Sequence, residues 1–403
     1  MLRTWRGFHH RAVTCLAFNT TASMLAVASF DGVVVVFEVD DGRACVVLQF
    51  DAMIFATSVH WIDGTHIWVS ASDGMVTLWE LVGGDHVRGI AETVELALRF
   101  PAQHWRLQLV DTLPYYFPEA PHFVASDRCS GTGYAQVVVG FGRTFEQWGK
   151  DGTQRGSWSG RGRATSAANN DLAFAAWPLP KNRVMIIFKR HGARLWHPSD
   201  DALEEIVGWP NGELHAAHLL RPPSDESPKA AQQYFSAQAA VDSGSAVLAV
   251  DDKILLLSLS CNQRRGFAHV VHSIGCEPCV NLGISGMTCW VGLPILVSPT
   301  RTGLGTFDLS MTTVNRMAAR EADLNAGVLL SQALSTIEGS ISHAAAVAGD
   351  SGCHVASAHE AASGISISIW SVGVAEGLCD YSAASALLNQ ELRQKHRNSP
   401  TKP

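Results

Sequence analysis

The chain has 403 residues, 47% of them hydrophobic and 17% charged, a composition that excludes a disordered chain and supplies ample material for a core. Its formal net charge of -7 excludes a nucleic-acid binder that works through global positive charge. The nine cysteines are odd in number and scattered through apolar runs, as at Cys15, Cys45, Cys289 and Cys353, which suits a reducing compartment.

The opening MLRTWRGFHHR is interrupted by charge before a secretory apolar segment can form, and no apolar run reaches the roughly 18 residues of a membrane span. These features predict a soluble intracellular protein, cytoplasmic or nuclear. Three short strands follow: VTCLAF (13–18), MLAVAS (24–29) and, after the turn Asp31-Gly32, VVVVF (33–37). A fourth, ACVVLQF (44–50), links this unit to the next. ATSVHW (56–61), THIWVSAS (65–72), the turn Asp73-Gly74 and MVTLWE (75–80) repeat the order, with Phe37 and Trp79 equivalent and 42 residues apart. Four strands recurring at about this period read as propeller blades.

Further third-strand endings occur at Trp148, Trp196, Leu257, Phe307 and Trp370, after the second strands AQVVVGF, RVMIIF, SAVLAV, LPILVS and HVASAH. The last unit lacks a fourth strand and LRTWRGF lacks a partner, so their pairing closes the ring and removes two exposed edges. The predicted fold is all-β, a seven-bladed β-propeller of four-stranded antiparallel blades over residues 1–374, its N-terminal strand completing the last blade. A β-sandwich with a second domain accounts for the strands but not for their spacing. Residues 221–233, RPPSDESPKAAQQ, read as an inter-strand loop, and residues 375–403 as a short helix around Leu387, Leu388 and Leu392 with a disordered basic tail.

His10, Ser29 and Asp31 in the first unit, and Ser72 or Ser70, Asp73 and Trp79-Glu80 in the second, resemble the WD-repeat (WD40) family of β-propellers, most clearly over residues 9–80. His9 stands where the family has glycine, Phe37-Glu38 where it has Trp-Asp, and the second unit lacks the histidine. The resemblance implies that Asp31, Asp73 and Ser29 hold turns through hydrogen bonds, and that Trp79 and Trp370 are core residues. It further implies a non-catalytic protein-interaction scaffold without a cofactor, docking its partner on the face that carries the Asp-Gly turns. The second-to-third-strand turns assign to that face Phe30, Arg143, Arg190 within Lys189-Arg190-His191, Asp252 beside Asp251, Arg301, and His359-Glu360. Arg143, Arg190 and Arg301 suit an acidic or phosphorylated partner segment, and an exposed aromatic near arginines is a residue mix favoured at interface hot spots.

Other chemistry is thinner. His269, His272, Cys276 and Cys279 are zinc-ligand types, but strand alternation is expected to turn residues three apart to opposite faces, so no metal is expected. Gly349-Asp350-Ser351-Gly352, downstream of His343, is similar to a serine-protease nucleophile string and equally reads as a turn. Ser29-Phe30-Asp31 starts a sialidase-like repeat that does not continue, and no Walker A, Rossmann or HExxH motif occurs. The alternative function is a propeller hydrolase with carboxylates or histidines, such as Asp251-Asp252, at the central channel. Nucleic-acid binding through residues 390–403 is a third reading, and Ser399 fits a proline-directed phosphorylation pattern.

Overall fold

The computed structural model describes residues 3–40, 42–83, 105–126, 136–159, 171–179, 182–199, 202–221, 244–261, 265–275, 288–289, 295–300, 303–308, 328–333, 340–349 and 352–373. Every regular element among them is a strand. The opening strand β1 (Arg3–Arg6) is followed by β2 (Val13–Phe18), β3 (Met24–Ser29), β4 (Val33–Glu38) and β5 (Ala44–Gln49), the last four forming one antiparallel blade. The second blade is β6 (Ala56–Trp61), β7 (His66–Ala71), β8 (Val76–Gly83) and β9 (Trp105–Thr112). The third is β10 (Pro121–Ser126), β11 (Gln136–Phe141), β12 (Thr144–Gly149) and β13 (Gln154–Ser159). The fourth comprises β14 (Ala173–Leu179), β15 (Arg183–Phe188), β16 (Ala193–His197) and β17 (Ala202–Val207). Next come β18 (Leu214–Arg221), β19 (Ser245–Val250), β20 (Lys253–Cys261) and β21 (Gly266–Gly275), then β22 (Thr288–Cys289), β23 (Ile295–Thr300), β24 (Gly303–Asp308) and β25 (Val328–Ala333). The last blade, β26 (Ser340–Gly349), β27 (Gly352–Ala361) and β28 (Gly364–Gly373), is completed by β1. The third-strand endings expected from sequence, Phe37 through Trp370, all lie in the third strand of a four-strand unit.

Middle strands such as MLAVAS, RVMIIF and SAVLAV are buried at every residue because both faces of a blade are covered by its neighbours. The outer strand β13, QRGSWS, by contrast has three of its six residues exposed. The core is thus a series of layers between blades. Trp5, Val35 and Phe37 pack with Ala356, Ile367 and Ile369 across the closing seam. Met24, Val34 and Val36 meet Val59, Trp61 and Ile67 between the first and second blades. Each such fully buried aliphatic or aromatic side chain contributes about 1.5–3 kcal/mol relative to exposure.

The ring closes as expected: β1 pairs antiparallel with β28, Trp5 opposite Ile367. Trp5 then locks the seam. Its ring stacks on Phe37 at 4.4 Å and its Nε1 donates to the Gly42 carbonyl at 2.8 Å.

The inner strands share a feature absent from the sequence expectations. A bulge falls at the second residue of β2, β6, β10, β14 and β18, at Thr14, Thr57, His122, Phe174 and His215, and at the third residue of β26, Ser342. Thr14 Oγ1 donates to the Ala56 carbonyl at 2.7 Å, Thr57 Oγ1 donates to the Pro121 carbonyl, and the His122 ring donates to the Ala173 carbonyl at 2.9 Å. Each of these three side chains therefore ties its inner strand to the first residue of the next one. Phe174 has no donor, and the belt stops there. The fourth and fifth blades are joined instead at their outer edges, where β17 and β21 pair in parallel, Ile206 with Gly266 and Val207 with Phe267, making one eight-stranded sheet.

Candidate interaction face

The turns between second and third strands are clamped to the linkers that enter their own blades. Phe30 N donates to Ala12 O at 3.0 Å, Ser72 N to Phe55 O at 2.9 Å, Lys189 N to Leu172 O at 3.2 Å, and Asp251 N to Glu213 O at 3.1 Å. This repeated bond sets a turn and a linker side by side on one face of each of these blades. Gly74 (φ 91°) is needed at the second-blade turn, since a Cβ there would meet the Phe117 carbonyl at 2.2 Å.

In the first blade the expected histidine is corrected by one residue. His9 is buried and its Nδ1 lies 3.2 Å from Asp31 Oδ2, whereas His10 is exposed and contributes only its backbone N–H to Asp31, at 3.0 Å. Gly7, at φ 76°, lets the chain turn so that His9 points inward. Ser29 Oγ donates to the Arg11 carbonyl and accepts Asp31 N–H, and Asp73 accepts Met75 N–H, so these residues hold turns as the resemblance implies. Burial opposes the charge of Asp31, but the bond and charge of His9 and the N–H groups of His10 and Val33 outweigh it and hold the carboxyl below its usual range.

The fourth blade carries the same pair with its members exchanged. Asp171, in the linker, accepts N–H bonds from Arg190 at 2.6 Å and His191 at 3.0 Å, and the His191 ring lies 3.1 Å from it. Sequence reasoning missed Asp171 because the motif order places histidine in the linker and aspartate in the turn. The signal that finds it is an Asp just before one strand and a His in the following Lys-Arg-His-Gly turn.

The six candidate residues fare differently. Phe30 is 45% exposed on its turn, with its ring 4.7 Å from that of Phe55. Beside it in sequence, the linker carries Met53 at 91% exposure on a left-handed backbone, φ 76°. Arg143 is exposed next to Gly142, over which the Glu119 carboxylate sits. Arg190 is exposed, yet its guanidinium lies 3.9 Å from Glu213, which Lys189 Nζ approaches to 3.0 Å. The Lys189 hydrogen bond and charge hold the Glu213 carboxyl below its usual range. Asp252 is an exposed turn residue beside Asp251, whose Oδ1 accepts Glu213 N–H. Arg301 lies outside the described residues. Glu360 is half-buried within β27 and not in the turn, which falls at Ala362-Ser363, and His359 is buried with its Nε2 2.6 Å from Ser357 Oγ. The alternating pattern HVASAHEA simply runs two residues beyond the expected strand end.

The sequence also gave no notice of the aromatic linker before the third blade. There Tyr116 is 64% exposed, while Tyr115 stacks near Trp148 with ring centres 6.2 Å apart.

For the zinc-type cluster the expectation of opposite faces is corrected. A bulge at Val271 sets His269 opposite Ser258 and His272 opposite Leu256, two positions apart on β20, so simple alternation does not separate them. Cys276 and Cys279 lie outside the described residues. Gly349 and Gly352 pair at the ends of β26 and β27, and Asp350 and Ser351 lie outside the described residues. Among the described residues no three His, Cys, Asp or Glu side chains converge as a metal site, and no helix is long and apolar enough to cross a membrane. The predicted C-terminal helix and tail, with Ser399, fall outside the described residues.

No protein-family model matches the sequence, and no curated protein matches it. Solved structures do match. The Cps50 (Swd1) β-propeller domain of Myceliophteria thermophila superposes with a TM-score of 0.57 at 12% identity, covering 92% of this chain and all of that one, 100%. The RRP9 WD40 repeats superpose with a TM-score of 0.55 at 15% identity, covering 92% and 97% of the two chains. U3-55K gives 0.54 at 14% identity, covering 91% and 97%. The chain therefore has a WD40-type β-propeller fold.

Proposed function

We propose that this chain is a non-catalytic propeller scaffold that docks a partner protein on the face formed by the clamped turns and linkers, over Phe30, Met53 and Phe55. The observation that carries this reading is exposed Phe30 packed on half-buried Phe55 with exposed Met53 beside them, an apolar group held on hydrogen-bonded turns at the junction of the first and second blades. The Phe30 and Phe55 rings, already packed on each other, lose little freedom on binding, and flexible Met53 adds adaptable apolar surface. Exposed Arg143 and Arg190, on the third and fourth blades, supply the positive part of the face for an acidic or phosphorylated stretch of the same partner. Seven blades over residues 1–374, a separate C-terminal segment from 375, and a cytoplasmic or nuclear setting belong to this reading.

The test is capture of partners from the protein's own cells by the tagged chain and by a Phe30→Ser, Met53→Ser form. Loss of a defined set of partners from the variant, with its thermal unfolding unchanged, supports the reading. Equal capture by both forms refutes it.

A further inference from the structure

We propose that a pocket at the ring seam binds a phosphomonoester group. The pocket, of about 210 Å³, lies where the chain leaves β1 and passes the turn between β27 and β28. Arg6, His9 and His10 line it from one side and Ser363 and Ser366 from the other.

Three features fit an oxyanion. The first is the cationic side. Arg6 and His10 are exposed, and among the described residues no carboxylate lies within ion-pair distance of Arg6. By contrast, exposed Arg155 is paired with Asp151 at 2.6 Å. Asp31 is the carboxylate bound to His9, and it already accepts the His9 ring together with the N–H groups of His10 and Val33.

The second feature is His9 itself. Its side chain is fully buried, and with Nδ1 donating to Asp31 its Nε2 has no hydrogen-bond partner among the described residues. A buried polar atom left without a partner is costly and calls for one. A ligand phosphate would provide one, its P–OH donating to Nε2 of the neutral ring or its bare oxygen accepting from Nε2–H when both ring nitrogens carry protons.

The third feature is room at the backbone. Gly7 (φ 76°) and Gly364 (φ 116°) both line the pocket, and no atom lies within 4 Å of where a Cβ would stand at either. Ligand oxygens can therefore approach the main chain, while the Ser363 and Ser366 hydroxyls are donors suited to a tetrahedral anion.

The test is calorimetric titration of the full chain at low salt with O-phosphoserine, glycerol 3-phosphate and a short phosphoserine peptide. The expected result is binding of the phosphorylated compounds but not of serine, weakened at least about tenfold by Arg6→Ala and by His10→Ala, each removing a charge-assisted contact. Both side chains are exposed, so the unfolding temperature of these variants should match the parent. Tighter binding of the peptide than of O-phosphoserine identifies a protein source for the group, and equal binding of all three a small phosphorylated metabolite. No binding at about 10 mM, or unchanged affinity in both variants, overturns the proposal. The Phe30→Ser, Met53→Ser form should retain phosphate binding, so failure of the docking reading and failure of this one are told apart.

Discussion

His9 Nδ1 lies 3.2 Å from Asp31 Oδ2, and this contact ties the chain leaving β1 to the first tight turn. The fourth blade makes the same tie with Asp171 in the linker and His191 in the turn. What recurs is a carboxylate that collects backbone N–H groups and an imidazole across the same gap, whichever side supplies it.

Replacing Asp31 by Ala should destabilise the protein by about 2–3 kcal/mol, because buried His9 and two backbone N–H groups lose their acceptor. Denaturant unfolding measures this. Because the folded Asp31 carboxyl is held below its ordinary value of 3.8, its stabilisation is complete above that pH and is lost as the pH falls through the depressed folded value. The parent and Asp31→Ala curves should therefore converge only in strong acid.

Trp5→Ala should cost about 3–5 kcal/mol, since it empties a buried site stacked on Phe37 and removes the bond to Gly42. Deleting residues 1–6 should go further, leaving the edge of β28 unpaired and the protein prone to associate. Thermal unfolding with light scattering reads both effects.

The inner belt predicts that Thr14→Val costs about 1 kcal/mol through loss of its bond to Ala56, and that Thr57→Val does the same through Pro121. Phe174→Leu, at the equivalent bulge with no belt bond, should leave the bonds of the other blades untouched. Hydrogen exchange of the inner-strand amides separates the two kinds of site.

Much of this fold is written locally. Val33 to Phe37 and Arg183 to Phe188 announce themselves as covered strands, and Asp31-Gly32 and Asp73-Gly74 as turns, because these signals need only neighbours in sequence. Which of His9 and His10 turns inward depends on the left-handed Gly7, which adjacent histidines do not reveal. The exchanged Asp171–His191 pair, the Lys189–Glu213 bridge and the β17–β21 pairing join residues distant in sequence, and no periodicity encodes them. The bulges fall on residue types as different as Thr57, Phe174 and His215, so position in the blade and not side-chain chemistry sets them.

Stability should also fall between neutral and mildly acid pH. Burial lowers His359 from 6.5 to about 4, and burial moves His122, His343 and His354 in the same direction. The unfolded chain binds protons first, so the stabilisation is full above the unfolded value of 6.5 and is lost as the pH falls towards about 4. His359→Gln should flatten that part of a melting-temperature profile recorded from pH 7 to 5.

The most direct measurement of the central claim is quantitative mass spectrometry of partners captured by the full chain, by the Phe30→Ser, Met53→Ser form and by an Arg143→Ala, Arg190→Ala form, all verified as folded. Docking on the clamped-turn face predicts a defined partner set, abolished by the apolar change and made weaker and less salt-dependent by the arginine change. The same partners at the same abundance and salt sensitivity in all three forms would contradict it.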